Sequence, residues 1–157
     1  SVKLILFTNG SNIHQNNLLE VLERFHNHNG VIWYKFDFWD EASYSKHNNS
    51  PVSFQIILSN LRLIGRRIPV VLQSCFFSFN NRQMDRNDIL RYAEKVQFLM
   101  KEGVKITQIQ AYTTARKPFD SSVTPLSDSE MEEINSILSE ALSCEIVTTF
   151  KHGKKET

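Results

Sequence analysis

Cysteine, glycine and proline are all scarce here: two, five and four residues in a chain of 157. Those counts exclude collagen-like and low-complexity sequences. Two thiols, Cys75 and Cys144, make no disulfide framework, so a reducing, cytoplasmic setting is expected. No apolar run approaches the roughly 20 residues of a membrane-spanning helix, and no signal-peptide pattern opens the chain. An excess of one charge is missing too. Eighteen Lys and Arg against 17 Asp and Glu leave +1, which gives no electrostatic footprint for nucleic acid. Nor is there a G-x-G-x-x-G, a G-x-x-x-x-G-K-[ST], a C-x-x-C or an H-E-x-x-H. His26 and His28 lie two apart on a helical stretch and point to different faces, so they make poor co-ligands.

What is present reads as one α/β domain over residues 1–150 and a charged tail over 151–157. Eleven Phe residues suggest a core of large side chains. Strand-like apolar runs at Leu4–Thr8, Val31–Asp37, Ile68–Leu72, Val104–Tyr112 and Cys144–Phe150 alternate with helical stripes. The stripes are Leu18/Leu22/Phe25, then Phe54/Ile57/Leu58/Leu61/Ile64, then Ile89/Tyr92/Val96/Leu99, and last Met131/Ile134/Ile137/Leu138. Ser50 reads as an N-cap with Pro51 at the first helical position. Residues 40–49 read as polar and irregular. Ser127-x-x-Glu130 is a capping box, with Leu126 and Met131 as its hydrophobic staple. Strand starts 30 to 40 residues apart predict parallel βα units with right-handed crossovers, forming half of a partial (β/α) TIM-like barrel.

In parallel α/β folds, ligands bind at the carboxyl ends of the strands. The polar residues here fall at those ends: Thr8 and Asn9 after the first strand, Asp37 after the second, Gln73 and Ser74 on the third, Gln110 and Tyr112 on the fourth. Gln73 and Gln110 stand out, because a primary amide on a buried strand must find partners. Cys75 is a nucleophile candidate by position, but a small buried thiol is the simpler reading.

Several strand ends together resemble the second half of a radical S-adenosylmethionine (SAM) core. The matching segments are Phe7-Thr8-Asn9-Gly10, Lys35-Phe36-Asp37, Asn49-Ser50-Pro51, and Leu72-Gln73-Ser74-Cys75-Phe76-Phe77. The run from Gln108 to Pro118 and the segment Val123-Thr124-Pro125-Leu126-Ser127-Asp128 extend the match over about residues 3–145. The resemblance, which includes pyruvate formate-lyase activating enzymes, implies a [4Fe–4S] cluster on a C-x-x-x-C-x-x-C loop with SAM on its fourth iron. It implies cofactor-binding roles for Thr8, Asn9, Asp37 and Gln73, and substrate-side roles for Gln110, Tyr112 and Arg116. The chain departs from the family in having no such cysteine triad and no G-G-E-P-like segment. SAM and the cluster are therefore expected of a longer parent protein and no cofactor of this chain, which reads as a carboxy-terminal fragment inactive alone. The rival reading is a non-catalytic α/β binding or assembly module. A half-barrel should also associate with itself, through a flat apolar edge at Leu4–Thr8 and through inward-facing Ile32, Tyr34, Val71 or Leu72, and Ile109.

Overall fold

The structure, a computed structural model, describes residues 2–48, 50–115 and 121–149. In chain order its elements are β1 (Leu4–Thr8), α1 (Leu18–Asn27), β2 (Gly30–Lys35), α2 (Glu41–His47), α3 (Phe54–Gly65) and β3 (Val70–Cys75). They continue with β4 (Phe77–Phe79), α4 (Arg86–Lys101), β5 (Ile106–Tyr112), β6 (Val123–Pro125), α5 (Asp128–Ala141) and β7 (Glu145–Thr149). Five strands form one sheet in the order β1-β2-β3-β5-β7, and every neighbouring pair is parallel. Strands added in chain order always to the same edge, by crossovers of one hand, put all the helices on one face. This single winding is that of half a β/α barrel, as the strand spacing predicts. Among the described residues no helix is long and apolar enough to cross a membrane.

Register decides which side chains meet the helices. Ile32, Tyr34, Leu72 and Ile109 are fully buried in the cluster shared by sheet and helices. The alternate residues form the opposite face, where Ile5 pairs with Val31, Phe7 with Trp33, Trp33 with Val71, and Gln73 with Gln110. Of the residues expected to face inward, only Val71 does. Ile32, Tyr34, Leu72 and Ile109 point the other way, under the helices. A bulge between Val70 and Val71 skips Thr107, so Ile106 and Ile109 face the helices although three residues apart.

Two local readings are also corrected. The stretch read as irregular contains α2, because Asp40 caps it by accepting from the Ser43 amide (2.7 Å) while Ser43 Oγ accepts from the Asp40 amide (3.3 Å). Helix α3 starts not at Ser50-Pro51 but after Ser53, whose hydroxyl accepts from the Ile56 amide. The Ser50 hydroxyl instead accepts from the Val52 amide, closing a short turn. The Ser127–Glu130 capping box forms as expected. The β4–β6 pair, antiparallel and separate from the main sheet, had no counterpart in the sequence reading. His26 and His28 each bond a backbone carbonyl, of Gly30 and Arg24 respectively, at the end of α1.

Candidate functional site

The helix-free face of the sheet carries its polar groups at the carboxyl ends of β2, β3 and β5. Lys35 and Asp37 lie two apart on an extended chain and so share a face. Lys35 Nζ sits 3.0 Å from Asp37 Oδ2 and donates to the Tyr112 hydroxyl at 3.1 Å. The other carboxylate oxygen, Oδ1, accepts from the Cys75 backbone N–H at 2.8 Å. Three strands therefore meet in one cluster. Its order comes from register, because Lys35 pairs with Gln73, Gln73 with Gln110, and Cys75 with Tyr112.

Burial sets the electrostatics. The Asp37 side chain is only 9% exposed. Loss of solvation raises its carboxyl above the ordinary range, and Lys35 and the Cys75 N–H offset this only in part. Burial alone would lower the Lys35 ammonium, but Asp37 and then Tyr112 outweigh it, so Lys35 holds its proton more tightly than a free lysine. Burial, with Asp37 adding, pushes the Cys75 thiol up to about 12, against a weaker pull from Lys35 and Tyr112. Tyr112 likewise rises to about 12, mainly by burial. A thiol with so little thiolate at neutral pH is a poor nucleophile. The cluster offers charges and hydrogen-bonding groups but no activated nucleophile.

Asn9 joins this set through the loop after β1. Gly10 has φ +76°, and a Cβ there would lie 1.8 Å from the Tyr34 hydroxyl. The Asn60 side-chain amide donates to the Gly10 carbonyl at 2.6 Å and pins the turn. Asn9, Lys35 and Asp37 then border one cleft of about 200 Å³ that reaches down to Phe36, Tyr44 and Phe54.

Of the other expected site residues, Gln73, Gln110 and Tyr112 stand on the same helix-free face. Gln110 donates to Gln108 Oε1 at 2.6 Å, and Gln108 donates to Glu145. Thr8 is set apart. It pairs with Tyr34 on the helix-covered parity, and its hydroxyl accepts from the Gly10 amide at 3.0 Å. Arg116 lies outside the described residues. The sequence reading did not assign Lys35, Cys75 or Gln108 to the site. The signal that could have found two of them is alternation: Lys35 and Asp37, and Gln108, Gln110 and Tyr112, recur every second residue along their strands.

An iron–sulfur cluster needs three closely spaced thiolates. The chain has two cysteines, one of them this buried, protonated Cys75. Among the described residues no three His, Cys, Asp or Glu are grouped to hold a metal ion. The donor set does not fit a [4Fe–4S] cluster.

No family model matches the chain, and no curated protein matches it. Among solved structures, one chain of the tryptophan synthase a2b2 complex of Pyrococcus furiosus is similar over 93% of this chain and 86% of its own. It shares 12% identity at a TM-score of 0.36, too slight a likeness to inform fold or function.

Proposed function

We propose that this chain is the carboxy-terminal half of a radical SAM core. In this reading its helix-free sheet face lines the cavity for SAM and substrate, and the cluster is carried by cysteines outside these residues. One observation carries the proposal: a charged and hydrogen-bonding set, Lys35, Asp37, Gln73, Gln110 and Tyr112, lies on the uncovered face at the carboxyl ends of a singly wound parallel sheet. Such a face is where barrels and open α/β sheets place ligands. The groups suit an amino-acid-bearing ligand. The Asp37 carboxylate can accept from an ammonium, the Lys35 ammonium can meet a carboxylate, and the glutamine amides can bond hydroxyls. The binding or assembly module remains the second reading, favoured by the two-cysteine count and the protonated Cys75.

SAM binding to the full-length parent protein, cluster included, tests the reading. Asp37→Ala there should weaken binding by about 1.5–3 kcal/mol, the worth of one charge-assisted hydrogen bond, and by more than it lowers stability. Unchanged SAM affinity with a large fall in melting temperature would make Asp37 merely structural and leave the module reading in possession.

A further inference from the structure

A second concentration of rings and cations lies away from the sheet face. Between α2, the turn after β4 and the start of α4 is a cavity of about 250 Å³. One wall begins in a local device of the sequence. Asn80 and Asn81 both take positive φ, 51° and 60°, the pattern of a type I′ turn, which asparagine tolerates better than most residues. Across that turn Phe79 and Arg82 exchange both backbone hydrogen bonds, at 2.9 and 3.0 Å. Directly opposed residues share one face of a ribbon. Arg82 is therefore held beside Phe79, and Phe77, two residues back, shares that face.

The same wall continues into His47, at the end of α2. Its ring is stacked on Phe38 at 5.8 Å and 10°, and meets Phe77 and Phe79 edge-on at 5.4 and 4.6 Å. Burial, with Lys46 adding, lowers the affinity of this imidazole for a proton, and its Nδ1 is buried with no hydrogen-bond partner among the described residues. The four rings hold one another in a single packed cluster beside the cavity.

Three cations border this slot: Lys46, Arg82 and Arg91. Lys46 Nζ lies over the Phe79 ring at 5.7 Å. Arg82 has a 3.7 Å contact with Asp85 between two exposed side chains, an arrangement worth little. Arg91 enters no ion pair among the described residues. Two carboxylates also border the cavity, but both serve helix starts. Asp40 accepts from the Ser43 amide at 2.7 Å, and Asp88 accepts from the Asp85 amide at 3.3 Å. Lys46 and Arg91, neither in an ion pair among the described residues, can meet an anion beside the rings, and the rings favour a flat π-system.

We propose that this cavity binds a planar aromatic anion, its ring packed on the Phe38, Phe77 and Phe79 cluster and its anionic group at Arg82 and Arg91. The chain carries its own reporters. Of its three methionines, Met84 lines the cavity, Met131 is fully buried in the core, and Met100 packs at the core's edge. With methionine methyls labelled with carbon-13, 2-naphthoate should shift the Met84 resonance saturably and leave Met100 and Met131 in place. The neutral isostere 2-naphthamide should bind about tenfold more weakly or worse, as should naphthoate to the Arg82→Gln/Arg91→Gln double variant. Unmoved Met100 and Met131 signals certify that the variant is folded. The proposal is overturned if Met84 shows no saturable shift. It fails equally if amide and carboxylate bind alike in the unaltered chain, or if the folded double variant keeps full affinity.

Discussion

Asp37 meets two demands at once, accepting from the Cys75 amide with one oxygen and facing Lys35 with the other. Asp37→Asn keeps an acceptor for the amide, whereas Asp37→Leu leaves a buried N–H unpaired and should cost about 1–3 kcal/mol in urea unfolding. The asparagine variant should cost less and should also remove a pH dependence. Because burial raises the folded carboxyl above its ordinary 3.8, the folded state holds this proton more tightly than the unfolded chain. Stability contributed here is present at low pH and declines as pH rises through the folded value; with Asn in place that decline should vanish. The alkaline side follows the same sign. Cys75 rises from 9.0 to about 12, Tyr112 from 10.0 to about 12, and Lys35 above 10.5. All three keep their protons in the folded state, so stability is intact below about pH 9 and falls between 9 and 12. Urea midpoints taken from pH 8 to 11 should show that fall, with Cys75→Ala flattening its first stretch. A level profile in the parent chain would mean that the cluster is solvated. At this scale the sequence was partly readable. Asp37 and Tyr112 announce themselves as polar ends of apolar strands, but Cys75 joins through its backbone amide, which side-chain identity does not reveal.

Helix starts show where local reading succeeds and where it stops. At α5, Ser127 Oγ accepts from the Glu130 amide at 3.3 Å and Glu130 Oε2 accepts from the Ser127 amide at 2.5 Å. Ser127→Ala should therefore cost about 1 kcal/mol, measured as a fall in the urea midpoint with unchanged slope. No change would mean that Met131, Ile134, Ile137 and Leu138, all buried, hold the helix without its cap. This start was legible because the box stands in front of a long apolar stripe. Helix α2 has only seven residues and one of them buried, Tyr44, so there was no stripe to read. Its signal was the Asp40-x-x-Ser43 cap alone, with serine where Glu or Gln usually stands. Ser50-Pro51 misled for the converse reason. The residue types suit a helix start, but the Ser50 hydroxyl is taken by a local turn and Tyr44 ties the segment down through its hydroxyl bond to the Val52 carbonyl at 2.9 Å.

For the whole molecule, element order and single winding were legible from strand spacing, while the facing of the sheet was not. Nearly continuous apolar strands carry no alternation to say which residues lie under the helices, and a bulge such as that at Thr107 shifts the parity within one strand. The structure resolves the ambiguity, and with it the nature of the uncovered face. That face is polar over β3 and β5 at Gln73, Gln108 and Gln110, and apolar toward β1. On β1, Ile5 is 44% and Phe7 59% exposed, and the Phe7 ring meets Trp33 edge-on at 5.1 Å. β1 is also the edge of the sheet, and its five residues, Leu4–Thr8, include no Lys or Pro to discourage pairing. An apolar patch continuous with an open strand edge is best buried by a second copy presenting the same patch, because a twofold contact is self-complementary. The isolated 157-residue chain is accordingly expected to dimerise at micromolar concentration through β1. Sedimentation velocity over a hundredfold range of concentration measures it. Ile5→Lys/Phe7→Lys should yield monomers with little loss of stability, since both side chains stand clear of the core. A parent chain that stays monomeric throughout, or a lysine variant that dimerises as before, would remove β1 as the contact.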